Sequence, residues 1–390
     1  QQCDVSMRYR LTSTFREYVL GKWPEPAPLP VLEKAHAHCY HERIASPEDG
    51  ELSRDMKNFA RAIDFFVKSR EPESATEIVL YLSGHWVNAG LYAEGARAAR
   101  ACLATGPEDG RLLNVVGVLE YYLGQFGESG AHLTRAGEIA SASGDQALRS
   151  KSMNNLSLLY MSQGDTDAAI ASLEEALPYD RAQSDPSKLI ISLSNLGYLF
   201  TLKGDLPRAR ELLEEALQMT GRLDDRRTAI PCLVNLSDLA LEERDTDGSS
   251  SYANRGMAYA EELNDAAGAA CCLTNLGEVE LQKGNFEEAE ALLRRALTRA
   301  IDIDASWLMG SILDLLAIVF WRRGRLEPTT VALVHRQVAS TVPSPARFAA
   351  EVGQIFAVVE TEVGSEELAR MRHRAEKHGI AAILDDLPRG

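Results

Sequence analysis

Apolar and small residues recur along this chain in two alternating stripes. The first stripe reads Met153, Leu156, Ser157 and Tyr160, and again Leu193, Leu196, Gly197 and Phe200, in steps of three, one and three. The second reads Ala169, Leu173 and Ala176, then Ala209, Leu213 and Ala216, then Ala289, Leu293 and Ala296, in steps of four and three. Steps of three and four place residues on one face of an α-helix. Each block is therefore a predicted pair of helices, and equivalent positions lie forty residues apart.

Two landmarks punctuate the pairs. Asn-Leu followed by a small residue occurs at Asn155, Asn195, Asn235 and Asn275, and the small position continues outward as Gly117 and Ala317. Seven residues beyond it stands a glycine, at Gly124, Gly164, Gly204, Gly284 and Gly324, with Arg244 breaking the series. A small residue lets two helices approach closely, and a glycine after the stripe provides the positive-φ turn that ends the first helix. Ser83 and Gly90 precede Gly117 and Gly124 by 34 residues, so the first unit is shorter than the later ones. About seven pairs fit between residues 74 and 340.

The segments Gly284-Asn285-Phe286-Glu287-Glu288-Ala289 and Gly204-Asp205-Leu206-Pro207-Arg208-Ala209, taken with Asn-Leu-Gly, resemble the tetratricopeptide repeat (TPR). The resemblance implies an all-α fold, a right-handed TPR superhelix or α-solenoid, with a helical adaptor before the repeats and capping helices after them.

The flanks extend the likeness. Met7 to Trp23 contains Tyr-Arg-Leu-x2-Thr and Arg-Glu-Tyr, and a Pro-rich stretch follows from Pro24 to Pro30. This resembles the end of the winged-helix part in multidomain signal-transduction NTPase regulators of the STAND, NB-ARC-like type. Leu52 to Phe65 looks like the adaptor helix of those regulators, with Phe59 where leucine is usual. The resulting division is a winged-helix remnant at 1–23, a linker at 24–30, an adaptor at 31–72, the array at 74–340 and capping helices at 343–388. The first residue is glutamine, which reads as a piece of something longer.

Composition narrows the function. The net charge of −16 opposes general attraction to nucleic acid, so the array itself is not expected to bind it. No apolar run approaches the roughly 18 residues of a membrane span, so no membrane partner is expected. Six cysteines without metal-type spacing suggest reduced thiols in the cytoplasm. Cys232 and Cys272 sit forty apart, as small core residues in equivalent sites.

Catalytic patterns are missing. The chain has no Gly-x4-Gly-Lys-Ser/Thr loop and no organised Ser/His/Asp set, so it is read as a non-enzyme without cofactor or metal. His36, His38, Cys39 and His41 are the densest potential ligands, but Leu32 to Ile44 reads as an amphipathic helix that explains them as surface or interhelix residues. The acid pairs Glu174-Glu175, Glu214-Glu215 and Glu287-Glu288 read as solvated helix surface.

The TPR resemblance implies a concave groove lined by the first helices. Its offsets select Arg111, Asn114, Val118, Tyr121 and Tyr122, then Lys151, Asn154, Asn155, Leu158 and Met161, then Ile191, Ser194, Asn195, Tyr198 and Thr201. Further along come Val234, Asn235, Asp238 and Glu242, then Thr274, Asn275, Glu278 and Gln282, and finally Asp314, Ile318, Trp321 and Arg322. A ladder of carboxamides suits the backbone of an extended peptide, because each can donate and accept. The same asparagines could equally bond within the array. The lining runs from Arg111 and Lys151 to Asp238, Glu242 and Glu278, matching a partner with an apolar or acidic end and a basic end.

Repeat five stands apart, with Gly248, Ser249, Ser250, Ser251, Ala253 and Gly256 in its second helix. It is either a hinge or a tolerated degenerate repeat. Two functions fit the whole. One is a protein- or peptide-binding sensor whose groove occupancy regulates an upstream NTPase and transcriptional-regulator module through an intramolecular contact. The other is a free-standing TPR scaffold or peptide receptor.

Overall fold

The computed structural model describes residues 29–44, 52–183, 186–303, 305–339, 346–379 and 383–387. The expected winged-helix remnant and the linker up to Pro28 lie outside these residues, whereas Leu29 and Pro30 open the first helix rather than extend a linker. Proline is tolerated there because the first-turn amides have no intrahelical partner.

Among the described residues the chain is an α-solenoid that divides into two compact units, the first ending at Ser143 and the second beginning at Gly144. The first unit holds α1 (Leu29–Arg43), α2 (Leu52–Ser69), α3 (Pro72–Asn88), α4 (Tyr92–Thr105), α5 (Gly110–Tyr122) and α6 (Phe126–Ser143). Its core joins Phe59, Ile63 and Phe66 of α2 to Ile78, Leu82 and Trp86 of α3, and to Ala96 and Ala99 of α4. Glu120 is buried in α5 and held by Arg100 of α4 and His132 of α6.

The second unit holds α7 (Gln146–Gln163), α8 (Thr166–Ala182), α9 (Pro186–Lys203), α10 (Leu206–Leu223), α11 (Arg226–Glu242), α12 (Thr246–Glu262), α13 (Ala266–Lys283), α14 (Phe286–Asp302), α15 (Ser306–Arg322) and α16 (Leu326–Ala339), followed by α17 (Ala346–Val363), α18 (Ser365–His378) and α19 (Ile383–Asp386). Each helix from α7 to α16 packs on its neighbour, and first helices also touch the next first helix: α9 meets α11, α11 meets α13 and α13 meets α15. One face of this unit is thereby lined by first helices.

The close approach inside each pair has a specific cause. A Cβ placed on Gly197 would stand 2.5 Å from Cγ of Leu213, and one on Gly277 would stand 2.7 Å from Cγ of Leu293. The leucine of the second helix therefore fills the space that the glycine leaves open. In repeat five the leucine is replaced by the buried Ala253, and Ser237 closes the gap with a 2.8 Å hydrogen bond between its hydroxyl and that of Ser249.

Helix ends follow a second forty-residue register that the apolar pattern does not show. Asp145, Asp165, Asp205, Asp225, Asp245 and Asp265 are N-caps, each accepting the backbone N–H three residues on, at 2.9 to 3.3 Å. Such a cap contributes about 1 kcal/mol. At the helix C-termini, Gly204 takes φ of 83° and the amide of Asp205 reaches the carbonyl of Phe200 at 3.0 Å. Arg244 adopts the same left-handed turn at φ of 62°, with Asp245 bonded to Ala240 at 2.8 Å.

The paired acids bridge helices, across successive repeats except for Glu175, whose partner lies on the first helix of its own pair. Glu174 pairs with Arg208, Glu175 with Arg149, Glu215 with Arg181 and Glu287 with Arg323. These pairs are solvent-exposed, so each contributes under about 1 kcal/mol.

Among the described residues no three His, Cys, Asp or Glu side chains are arranged to hold a metal, and no helix is long and apolar enough to cross a membrane. His41 instead meets Glu77 at 2.6 Å, while His38 sits edge-on to Phe66. Burial raises the thiol pKa of Cys232 to about 11 and of Cys272 to about 12, which keeps both protonated.

Candidate functional site: the first-helix face of the second unit

The selected residues of the first unit are largely committed to that unit. Arg111 folds back on the N-cap of its own helix, with its guanidinium 2.7 Å from Asp109. Asn114 is 1% exposed and lies inside the unit. Tyr122 stacks on Tyr92 with ring centroids 4.8 Å apart, and Tyr121 packs against Tyr122 and Phe126.

In the second unit the asparagines have diverged in role. The amide of Asn235 donates to the carbonyl of Ser194 at 3.2 Å, and that of Asn275 donates to the carbonyl of Val234 at 3.2 Å. Both bonds run back 41 residues to the previous first helix. These two side chains therefore fasten one repeat to the next. Asn154 belongs to a buried polar network: it donates to the carbonyl of Ser150 at 3.0 Å and accepts from Ser192, whose hydroxyl also reaches Asp180 at 2.6 Å. Asn155 and Asn195 are half-buried on the same helices.

The α7 and α9 part of this face is open. Leu158 is 39% exposed and Ile191 48% exposed. Lys151 is also exposed, and its ammonium pKa is lowered first by local desolvation and then by the charge of Lys188 on α9. Two cations and two apolar side chains are thus displayed by adjacent first helices. Lys188 lies outside the TPR offsets, although its position one turn before Ile191 was readable from helical spacing.

The α11 and α13 part is covered. Asp238, Glu242 and Glu278 converge as the charge gradient suggests, but around a residue of the same chain. Arg347, on α17, directs Nε and Nη2 at the two carboxylate oxygens of Glu278, at 2.7 and 2.8 Å. Its Nη2 also reaches Asp238 at 2.9 Å, and its Nη1 reaches Glu242 at 3.1 Å. Burial opposes the charge on Arg347, but Glu278, Asp238 and Glu242 outweigh it and hold the guanidinium firmly protonated. For Asp238 burial dominates and raises its pKa, with Arg347 opposing and the neighbouring carboxylates adding to the rise. Burial, reinforced by Asp238, likewise raises the phenol of Tyr198 to about 12.

Helix α17 is anchored beyond this point by an apolar stripe. Phe348, Val352, Ile355 and Val359 are buried in the cluster that also contains Leu297, Ile312, Leu316 and Leu333. Glu351 makes a bidentate pair with Arg322 of α15, at 3.0 and 2.9 Å. Trp321 is partly buried here and borders a cavity of about 450 Å³ with Arg322, Glu351, Gln354, Ile355 and Val358. The expected capping segment thus packs one of its helices on α15 and α16, and its Arg347 reaches the first helices α11 and α13. Asp314 is fully buried and pairs with Arg336 at 3.1 Å, so it does not contribute to an open surface.

Arg347 is the residue that sequence reasoning missed. The available signal was the spacing of 348, 352, 355 and 359, which marks an amphipathic helix with an arginine just ahead of its apolar stripe.

Repeat length, paired helices and a continuous face of first helices define a TPR α-solenoid. The profile of the MalT-like TPR region matches residues 117–376, and the chain belongs to that family. No curated protein matches the chain. Among solved structures, the apo form of the quorum sensor NprR from B. thuringiensis aligns with a TM-score of 0.59 at 13% identity, covering 84% of this chain and 92% of that one. A STAND protein with a tetratricopeptide repeat sensor from Pyrococcus horikoshii aligns at 0.56 and 16% identity, over 96% of this chain and 56% of that one. A Rap protein complexed with Competence and Sporulation Factor aligns at 0.51 and 12% identity, covering 80% and 96%. These likenesses concern the fold.

Proposed function

We propose that the chain is a non-catalytic sensor array, in which the first-helix face of the second unit takes an extended segment of a partner protein or a peptide. The observation that carries this reading is the open surface on α7 and α9. Leu158 and Ile191 stay exposed there beside Lys151 and Lys188, while asparagines further along are tied into the array. Exposed apolar side chains set among polar groups suit side-chain pockets for a bound segment, and the two ammonium groups suit a carboxylate at one end of it.

In the parent protein we propose that occupancy is passed to an upstream nucleotide-hydrolysing module of a transcriptional regulator. Support comes from the alignment of almost the whole chain with roughly half of a STAND protein that carries a TPR sensor. A quorum sensor and a factor-bound Rap protein share the fold, which agrees with a sensing role.

The test is parallel affinity capture with the wild-type chain and a Leu158→Asp, Ile191→Asp variant whose fold is verified by circular dichroism. A partner identified by mass spectrometry that is retained by wild type and lost by the variant supports the proposal. Equal retention by both would reject this face as the binding surface.

A further inference from the structure

We infer that Asp238, Glu242 and Glu278 form a guanidinium-reading subsite, and that Arg347 fills it in cis until an arginine of the bound segment takes its place. The inference rests on the peptide-sensing role of this face and adds two things: the residue type that the partner must carry, and the helix that it must displace.

Geometry argues for recognition of arginine in particular. Glu278 meets Nε and Nη2 side-on through two separate oxygens, Glu242 takes Nη1, and Asp238 shares Nη2. A planar fork with five donors satisfies three carboxylates arranged in this way, whereas the ammonium of lysine cannot make the side-on pair. With Arg347 in place the site is closed, and Glu278 is only 3% exposed as a whole residue. It is also built by the array alone, because the three carboxylates lie on α11 and α13 and are present whether or not α17 is docked.

Charge argues for exchange. Among the described residues, Arg347 is the one cation within ion-pair distance of these three carboxylates. Three carboxyl groups converge on one guanidinium, so an arginine of the bound segment would meet the same acceptors that Arg347 uses. The occupant is held unevenly as well. Beyond Arg347, α17 is fixed by its apolar stripe and by the Glu351–Arg322 pair. Its Arg347 end, by contrast, reaches α11 and α13 through charge, and that contact is the part a competing arginine can replace. Lys151 on α7 and Lys188 on α9, with the acids on α11 and α13, then read the two ends of one extended segment within the second unit.

The test uses the full chain and a probe made from its own sequence, so it does not depend on capturing a partner. A fluorescein-labelled peptide of residues 346–363 is titrated by fluorescence polarisation against wild type, Arg347→Ala and Arg347→Ala/Glu278→Gln chains. The same peptide carrying Arg347→Ala is the control probe. The expected result is at least tenfold tighter binding of the arginine probe to the Arg347→Ala chain than to wild type. That gain should vanish in the double variant and with the control probe. Equal affinity for the wild-type and Arg347→Ala chains overturns the inference. If the variant fails to fold, hydrogen exchange on wild type decides: excess arginine probe, but not the control probe, should speed exchange at residues 350–354 of α17 at least tenfold, and unchanged exchange overturns the inference. Success here with no partner found by capture would leave the subsite standing and remove the sensing role. The reverse outcome would keep the sensing role and make Arg347 a permanent clasp.

Discussion

Arg347 and Glu278 are joined by two parallel hydrogen bonds of 2.7 and 2.8 Å, although 69 residues separate them in the chain. The pair closes the acidic part of a face whose α7 and α9 part remains open, and it ties a helix without repeat landmarks to the sixth repeat. A site that would otherwise be a run of surface acids thereby becomes a shielded charge cluster, with consequences for titration.

Asp238 should show those consequences as a pH dependence. Its pKa is raised above the ordinary 3.8, chiefly by burial, so the folded chain keeps this proton to higher pH than the unfolded chain does. The associated stability is fully present below the unfolded value and is lost as pH rises through the folded value. Asp238→Asn does not titrate, so it should gain stability relative to wild type in the window that opens as pH rises above the ordinary 3.8. Urea denaturation of both proteins across that window checks the sign, and a difference that stays constant or reverses contradicts it.

Asn275 should matter to the array itself. Its amide bonds the carbonyl of Val234, and the side chain is buried, so Asn275→Ala should cost about 1 kcal/mol even without ligand. Chemical denaturation of the free chain measures this. A variant as stable as wild type would mean that the amide does not fasten the repeats.

Gly197 and Leu213 should behave as a coupled pair. Gly197→Ala drives a methyl toward Leu213 and should cost about 1–3 kcal/mol, while Leu213→Ala alone opens a cavity at about 2–5 kcal/mol. The double variant should cost less than the sum, because the new methyl partly occupies the space vacated by the leucine. Strict additivity would show that the two side chains do not share that space.

Much of this was readable from the residue pattern, and the reasons for the exceptions are physical. Apolar spacing marks helices because a buried face must recur with the helical turn, and Leu213 opposite Gly197 is that rule seen in packing. Asn235 was ambiguous, since a carboxamide suits a peptide backbone and the carbonyl of Ser194 equally well. Arg347 left only a local helical signal, because its partners on α11 and α13 lie 69 to 109 residues away. Arg244 appeared as a break in the glycine series, yet the turn survives around it.

Arg244 is consequently a place where the chain can be improved. A non-glycine residue held at φ of 62° carries a conformational cost of about 1 kcal/mol or more, so Arg244→Gly should stabilise the second unit by about 0.5–1 kcal/mol. A rise in the denaturation midpoint checks this, and a fall would show that the arginine side chain contributes more than the turn costs.

The most direct measurement of the account is hydrogen exchange on the full chain with and without a saturating peptide derived from the captured partner. Binding as proposed predicts new protection on α7 and α9 around Leu158 and Ile191, with faster exchange at the Arg347 end of α17. Protection confined to the second helices α8, α10 and α12, with α7 and α9 unchanged, would contradict the claim that the first-helix face is the site of recognition.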